Sequence, residues 1–272
     1  MSRLDAAFSA MRDEGRTGLV AYITAGDPDL TRTPGILAAL QRGRVDVVEL
    51  GIPFSDPLAD GPVIQRASER ALRSGTTLER SLAMLASIRQ DFTVPVVVFT
   101  YANPILRMGT ERFAERAVGA GVDGVLVLDL PIEEAGSLRK TLSGAGIDTI
   151  FLLSPTTTRE RIERAAALGS GFLYGISRLG VTGARAAVSE EAATLARRVR
   201  EVTAMPLAIG FGVSRPEHVA EIGRFADAAV VGSALVAMIA DASAADRGKG
   251  ARAGDTLESR VTEYVRWLTG RA

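Results

Sequence analysis

The chain has no cysteine and a single histidine, His218, in 272 residues. Without sulfur there is no disulfide, no thiolate nucleophile and no zinc site that needs cysteine, and one imidazole is too few for a histidine-rich metal centre. No metal is expected. Lysine is nearly as scarce: Lys140 and Lys249 both fall in helical or polar surface stretches, so Schiff-base chemistry lacks its amine. Net charge is missing too, because the 32 Lys and Arg equal the 32 Asp and Glu. No chain-wide field draws nucleic acid or an anionic membrane, and any anion has to be held locally. The longest charge-free apolar stretch, 228–240, is broken by Gly232 and Ser233, and the N-terminal segment mixes acids with bases. Neither a signal peptide nor a membrane span fits, and a cytoplasmic location is the expectation.

What is present is an ordinary globular composition, 47% hydrophobic and 24% charged, which supplies a sizeable core. Short β-branched runs alternate with longer Ala/Leu/Arg stretches of helical period from one end to the other. Strands are predicted at 19–24, 45–50, 94–100, 124–128, 148–153, 172–176, 206–209 and 228–231. Helices are predicted at 31–41, 78–90, 111–118, 133–142, 159–168, 190–202 and 216–222. Eight such units close on themselves more readily than they form an open sheet. The expected fold is α/β, a (β/α)8 TIM barrel in one domain over 1–272, with an extra N-terminal helix at 3–12 plugging its bottom. Residues 241–254 read as a polar surface insertion and 257–268 as a docked terminal helix.

In such a barrel the catalytic groups stand at the C-terminal ends of strands and in the loops that follow. Glu49 is the first candidate. Alternation places Val45, Val47 and Glu49 on one face, so a carboxylate would stand at the mouth of an apolar tube, where desolvation raises its pKa toward neutrality. The loop 51–62 adds Asp56, Asp60 and three prolines, which restrict how it presents its side chains. Asp60 precedes the helix-start signature Gly61-Pro62, so it can complement a helix N-terminus and, as an anion, stabilise positive charge on a bound ring. Asp56 reads as a turn former or surface contact. Glycines gather after strands six to eight, at Gly180 to Gly183, Gly210 to Gly212 and Gly232-Ser233, where backbone amides could approach a phosphate. His218 reads as structural or surface-exposed, with Ser214 as N-cap of its helix.

The run Val48-Glu-Leu-Gly-Ile-Pro-Phe-Ser-Asp-Pro-Leu-Ala-Asp-Gly61 resembles the signature of the tryptophan synthase alpha chain family. Segments 22–28, 100–104, 128–131, 153–156, 174–183 and 210–212 support the resemblance at nearly every strand end. It implies a lyase that cleaves indole-3-glycerol phosphate to indole and glyceraldehyde 3-phosphate by a retro-aldol step in tryptophan biosynthesis. It implies Glu49 as base and Asp60 as acceptor of the indole N–H. Tyr22, Thr100, Tyr174 and Phe211 would enclose the indole, Gly183, Gly212, Gly232 and Ser233 would cradle the phosphate, and Thr182 would close over Asp60. It implies no cofactor in this chain. The partner is a pyridoxal-phosphate-dependent beta chain in an α2β2 heterotetramer, faced by Asp56, Asn103 and Pro104. Other expectations compatible with the residues are a lyase acting alone, a non-catalytic barrel that activates a partner, and another phosphate-binding barrel enzyme.

Overall fold

The structure, a computed structural model, describes residues 2–176, 190–210, 212–247 and 256–271. One sheet holds nine strands: β1 (Gly18–Thr24), β2 (Val47–Gly51), β3 (Val96–Thr100), β4 (Gly124–Val127), β5 (Asp148–Ile150), β6 (Leu152–Leu153), β7 (Leu173–Ile176), β8 (Leu207–Gly210) and β9 (Ala228–Val231). All pairings are parallel, and the spatial order is β5-β4-β3-β2-β1-β9-β8-β7-β6. β5 and β6 are two pieces of one stave separated by Phe151. The lower piece pairs with β4 and the upper with β7, so the ends of the order meet and the sheet closes into a barrel. The sequence predicted one unbroken strand over 148–153. The break follows from the stagger of tilted staves, which gives the two halves of this stave different neighbours.

Alternation sorts the side chains into two cores. Val20, Val47, Val97, Leu126, Ile150, Phe172, Ala208 and Val230 fill the barrel, while Leu19, Ala21, Val48, Val96, Val98 and Val125 face the surrounding helices. The N-terminal helix Arg3–Asp13 opens on a capping box between Ser2 and Asp5. Its residues Leu4, Phe8 and Met11 recur at helical spacing and join the inner core, with the Phe8 ring 5.2 Å from Phe172. The predicted plug is therefore in place. Beside it the buried Asp123 carboxylate accepts from Arg3 Nε at 2.6 Å, Arg89 Nη2 at 3.0 Å and the Val96 N–H at 2.7 Å. This ties the helix to the barrel floor.

Several elements differ from expectation. The helix Pro62–Arg73, of which the sequence revealed only the start, buries Ile64, Ala67 and Ala71 on one narrow stripe among charged neighbours. The segment Ala102–Met108, where no helix was predicted, is a helix that accepts Pro104 in its first turn, where the missing N–H costs no bond. Residues 241–247, assigned to the polar insertion, continue the helix Ser233–Arg247, and 248–254 lie outside the described residues. Small side chains such as the buried Ala242 and Ser243 give that stretch little apolar period. Ser214 is not the N-cap of Pro216–Ile222; Arg215 is. The Ser214 N–H donates to Nδ1 of the buried His218 at 3.3 Å.

Candidate active site

Glu49 lies on β2 in register with Tyr22 on β1 and Val97 on β3, and it is 0% exposed. Neither carboxyl oxygen has a hydrogen-bond partner. Buried polar groups are nearly always paired, so an orphaned carboxyl at the top of an apolar barrel marks a candidate functional group. Burial pushes it up to about 8, which favours the neutral acid at pH 7.

Around it stands an aromatic wall. Tyr22 meets Phe99 edge-on at 5.2 Å and 78°, and Phe99 lies 6.4 Å from Tyr174. A methyl on Gly51 would collide with the Tyr22 hydroxyl, and one on Gly210 with that of Tyr174. The two glycines are recesses that let the phenols lie flat against the strands. Ile64 and Ala67 of Pro62–Arg73 and Val236 of Ser233–Arg247 pack with Tyr22 in one apolar cluster, against which Phe99 also lies. Both phenols are raised far above their ordinary value, first by burial and then by the charges of Glu49 and Asp60. The two carboxylates thus act on one shared space.

Asp60 sits in the loop before Pro62–Arg73. Gly61, not Asp60, is that helix's N-cap, and no side chain caps it. The Asp60 carboxylate instead accepts from the Tyr101 hydroxyl at 3.0 Å, and its carbonyl accepts from Gln65 Nε2 at 2.9 Å. Burial raises Asp60 to about 6, and the bond from Tyr101 pulls the other way. Two acids in one slot therefore differ in character: Glu49 is fully dry and unpaired, Asp60 partly wet and hydrogen-bonded.

Of the other predicted site residues, Tyr22 and Tyr174 face the slot. Thr100 does not. Alternation along β3 turns Val97 and Phe99 inward, which sends Thr100 outward, and its hydroxyl donates to the Tyr101 carbonyl at 3.2 Å. A shift of one residue changes the face of a strand, so the lining residue is Phe99. The phase of Val97 would have revealed it. Tyr101 was the other omission, and nothing local marks it. Gly232 sits beside Tyr22, close enough that a methyl on it would make ordinary contact with the Tyr22 Cβ at 3.7 Å. Ser233 is the first residue of its helix, and Gly212 takes a left-handed φ of 52° that suits glycine. Thr182, Gly183 and Phe211 lie outside the described residues.

Asp56 is exposed, with Ser55 Oγ donating to it at 2.6 Å. Asn103 is exposed and Pro104 half-buried. Leu58, in the same loop as Asp56, is 93% exposed, and Leu106, on the same helix as Asn103 and Pro104, is 69% exposed. Lys140 is exposed on the helix Gly136–Gly144, and Lys249 lies outside the described residues. Among the described residues no acidic or imidazole cluster could hold a metal, and no helix is long and apolar enough to cross a membrane.

Comparison with known proteins identifies the family and the fold. The family model described as tryptophan synthase alpha chain matches residues 8–265. The tryptophan synthase alpha chain of Solibacter usitatus is 48% identical over 272 residues, all of both chains. That of Citrifermentans bemidjiense is 49% identical over 236 residues, 87% of this chain and 88% of its own. Among solved structures, Mycobacterium tuberculosis tryptophan synthase superposes with a TM-score of 0.89 at 34% identity, covering 99% of this chain and 98% of that one. The tryptophan synthase α2β2 complex of Pyrococcus furiosus gives a TM-score of 0.82 at 36% identity, covering 93% and 98%.

Proposed function

The chain belongs to the tryptophan synthase alpha chain family, a family of lyases that cleave indole-3-glycerol phosphate, and from this premise we propose how its residues perform that cleavage. The carrying observation is the unpaired, fully buried Glu49 carboxyl at the level of Tyr22. The indole ring occupies the slot between Tyr22, Phe99 and Tyr174, under Ile64. Its N–H points to Asp60, and its phosphate rests on the backbone at Gly212, Gly232 and Ser233, with Gly183 contributing by its match to the family. The N–H groups opening the helix at Ser233 favour an anion there.

The cleavage needs a proton delivered to ring carbon C3 and a proton removed from the adjacent glycerol hydroxyl. Glu49, held neutral at pH 7 by burial, gives its proton to C3. The positive charge that arises on the ring nitrogen is held by the Asp60 carboxylate. The Glu49 carboxylate so formed takes the hydroxyl proton as the C–C bond breaks. Its electron pair restores the indole ring, and the hydroxyl carbon leaves as the aldehyde of glyceraldehyde 3-phosphate. Protons balance, and Glu49 ends as it began. The raised value of Glu49 suits both halves of this exchange. Phe211 and Thr182 complete the enclosure in this reading, the latter by closing over Asp60.

The partner is the pyridoxal-phosphate-dependent beta chain, in an α2β2 assembly located in the cytoplasm. The surface carrying Asp56, Asn103, Pro104, Leu58 and Leu106 faces it. We expect a single catalytic domain throughout. Indole release by the purified chain tests this reading: slow turnover of indole-3-glycerol phosphate that rises on adding the beta chain supports it. No turnover under either condition contradicts it, and rapid turnover unchanged by the beta chain contradicts the partnership.

A further inference from the structure

We propose that Tyr101 is a positioning residue for the cleavage, its hydroxyl pinning the Asp60 carboxylate to the backbone of its own loop. The geometry is a bridge. The Tyr101 hydroxyl donates to Asp60 Oδ2 at 3.0 Å and accepts from the Ala59 N–H at 3.1 Å, which uses its donor and one acceptor site. The ring is fixed in turn, stacked on Phe54 with centroids 4.9 Å apart and an interplanar angle of 28°. Tyr101 is itself buried and caps the start of Ala102–Met108, whose first N–H, that of Ala102, donates to Asp129 at 2.7 Å. Loop 54–60 and the end of β3 are thereby locked together through one side chain. Asp60 can present its free oxygen to a ring N–H only while the other is held.

The inference rests on the assignment of Asp60 as acceptor of the ring N–H. The ionisable groups coupled to Asp60 from packed elements are Tyr22 on β1, Tyr101 after β3 and Tyr174 on β7, with Glu49 on β2 acting on Tyr22 and Tyr174 and Asp129 acting on Tyr101. Of these, only the hydrogen bond from Tyr101 favours the charged form of Asp60, against its burial. Removing the hydroxyl while keeping the ring should free the carboxylate to rotate and raise the pH at which it ionises.

The test is Tyr101→Phe in the full chain, which preserves the stack on Phe54. The inference expects kcat for indole release to fall about ten- to a hundredfold at pH 7, with KM nearly unchanged. It expects the acidic limb of the profile to move to higher pH, so that raising the pH recovers part of the loss. A carboxyl carbon-13 titration of Asp60 should show the same upward movement without reference to activity. Unchanged kcat and an unchanged Asp60 titration overturn it. So does loss of kcat and KM together with an unmoved titration, which would mean simple structural damage. Asp60→Asn run alongside separates the two levels: if that variant keeps full activity, the role of Asp60 itself is wrong.

Discussion

Tyr22 and Glu49 are register partners on neighbouring strands, a phenol and a carboxyl side by side on the inner face of the barrel. The phenol hydroxyl does not pair with the acid; it lies 3.4 Å from Thr24 Oγ1, and Glu49 keeps both oxygens free. A carboxyl in such a place is a cost to the fold. The consequences can be measured.

Glu49 should make stability depend on pH. Burial raises its folded-state value from 4.5 to about 8, so its penalty on folding is absent below 4.5, grows as pH rises from there to about 8, and is complete above it. Glu49→Gln lacks this dependence. Urea unfolding at pH 5 and pH 9 should show the variant gaining on the wild type by a few kcal/mol, as an order of magnitude, at the higher pH. A difference that stays constant with pH would contradict the burial of an ionisable group there.

The recess at Gly210 should be specific for the Tyr174 hydroxyl, which a methyl would strike. Gly210→Ala should cost about 1–3 kcal/mol and weaken substrate binding, because Tyr174 must swing into the slot. The double variant with Tyr174→Phe should recover part of both losses. Purely additive effects in thermal melts and KM would show that the two residues do not meet.

The plug should matter to stability and not to chemistry. Phe8→Ala empties a buried position against Phe172 and should cost about 3–5 kcal/mol. Indole release measured well below the melting temperature should keep its KM. A changed KM with unchanged stability would place the helix in the site.

Leu58 should report the docking surface. At 93% exposed it packs against nothing in this chain, so Leu58→Asp should leave stability within about 0.5 kcal/mol. Calorimetric titration with the beta chain should show binding weakened more than about tenfold, the penalty for burying an unpaired charge. Unchanged affinity would move the interface elsewhere.

Much of this was legible in the sequence because strands and helices repeat with different periods. Eight staves, the plug and the inward face of Glu49 all follow from that alternation. Thr100 shows where periodicity alone falls short: the β3 run is apolar on both faces, so its phase is fixed only by Val97 and Phe99 joining the inner core. The helix Ala102–Met108 was hidden by a proline that a first turn tolerates, and 241–247 by side chains too small to carry a period. Tyr101 was out of reach for another reason. Its bond to Asp60 spans 41 residues, and contact at that separation exists only once the barrel has closed.

The most direct measurement is the rate of indole release by Glu49→Gln at saturating indole-3-glycerol phosphate. Glutamine keeps the size of the side chain but can neither give nor take the proton. The rate should fall by about 10²–10⁴-fold while substrate still binds. A rate equal to that of the wild type would contradict the central role of Glu49 and the cleavage built upon it.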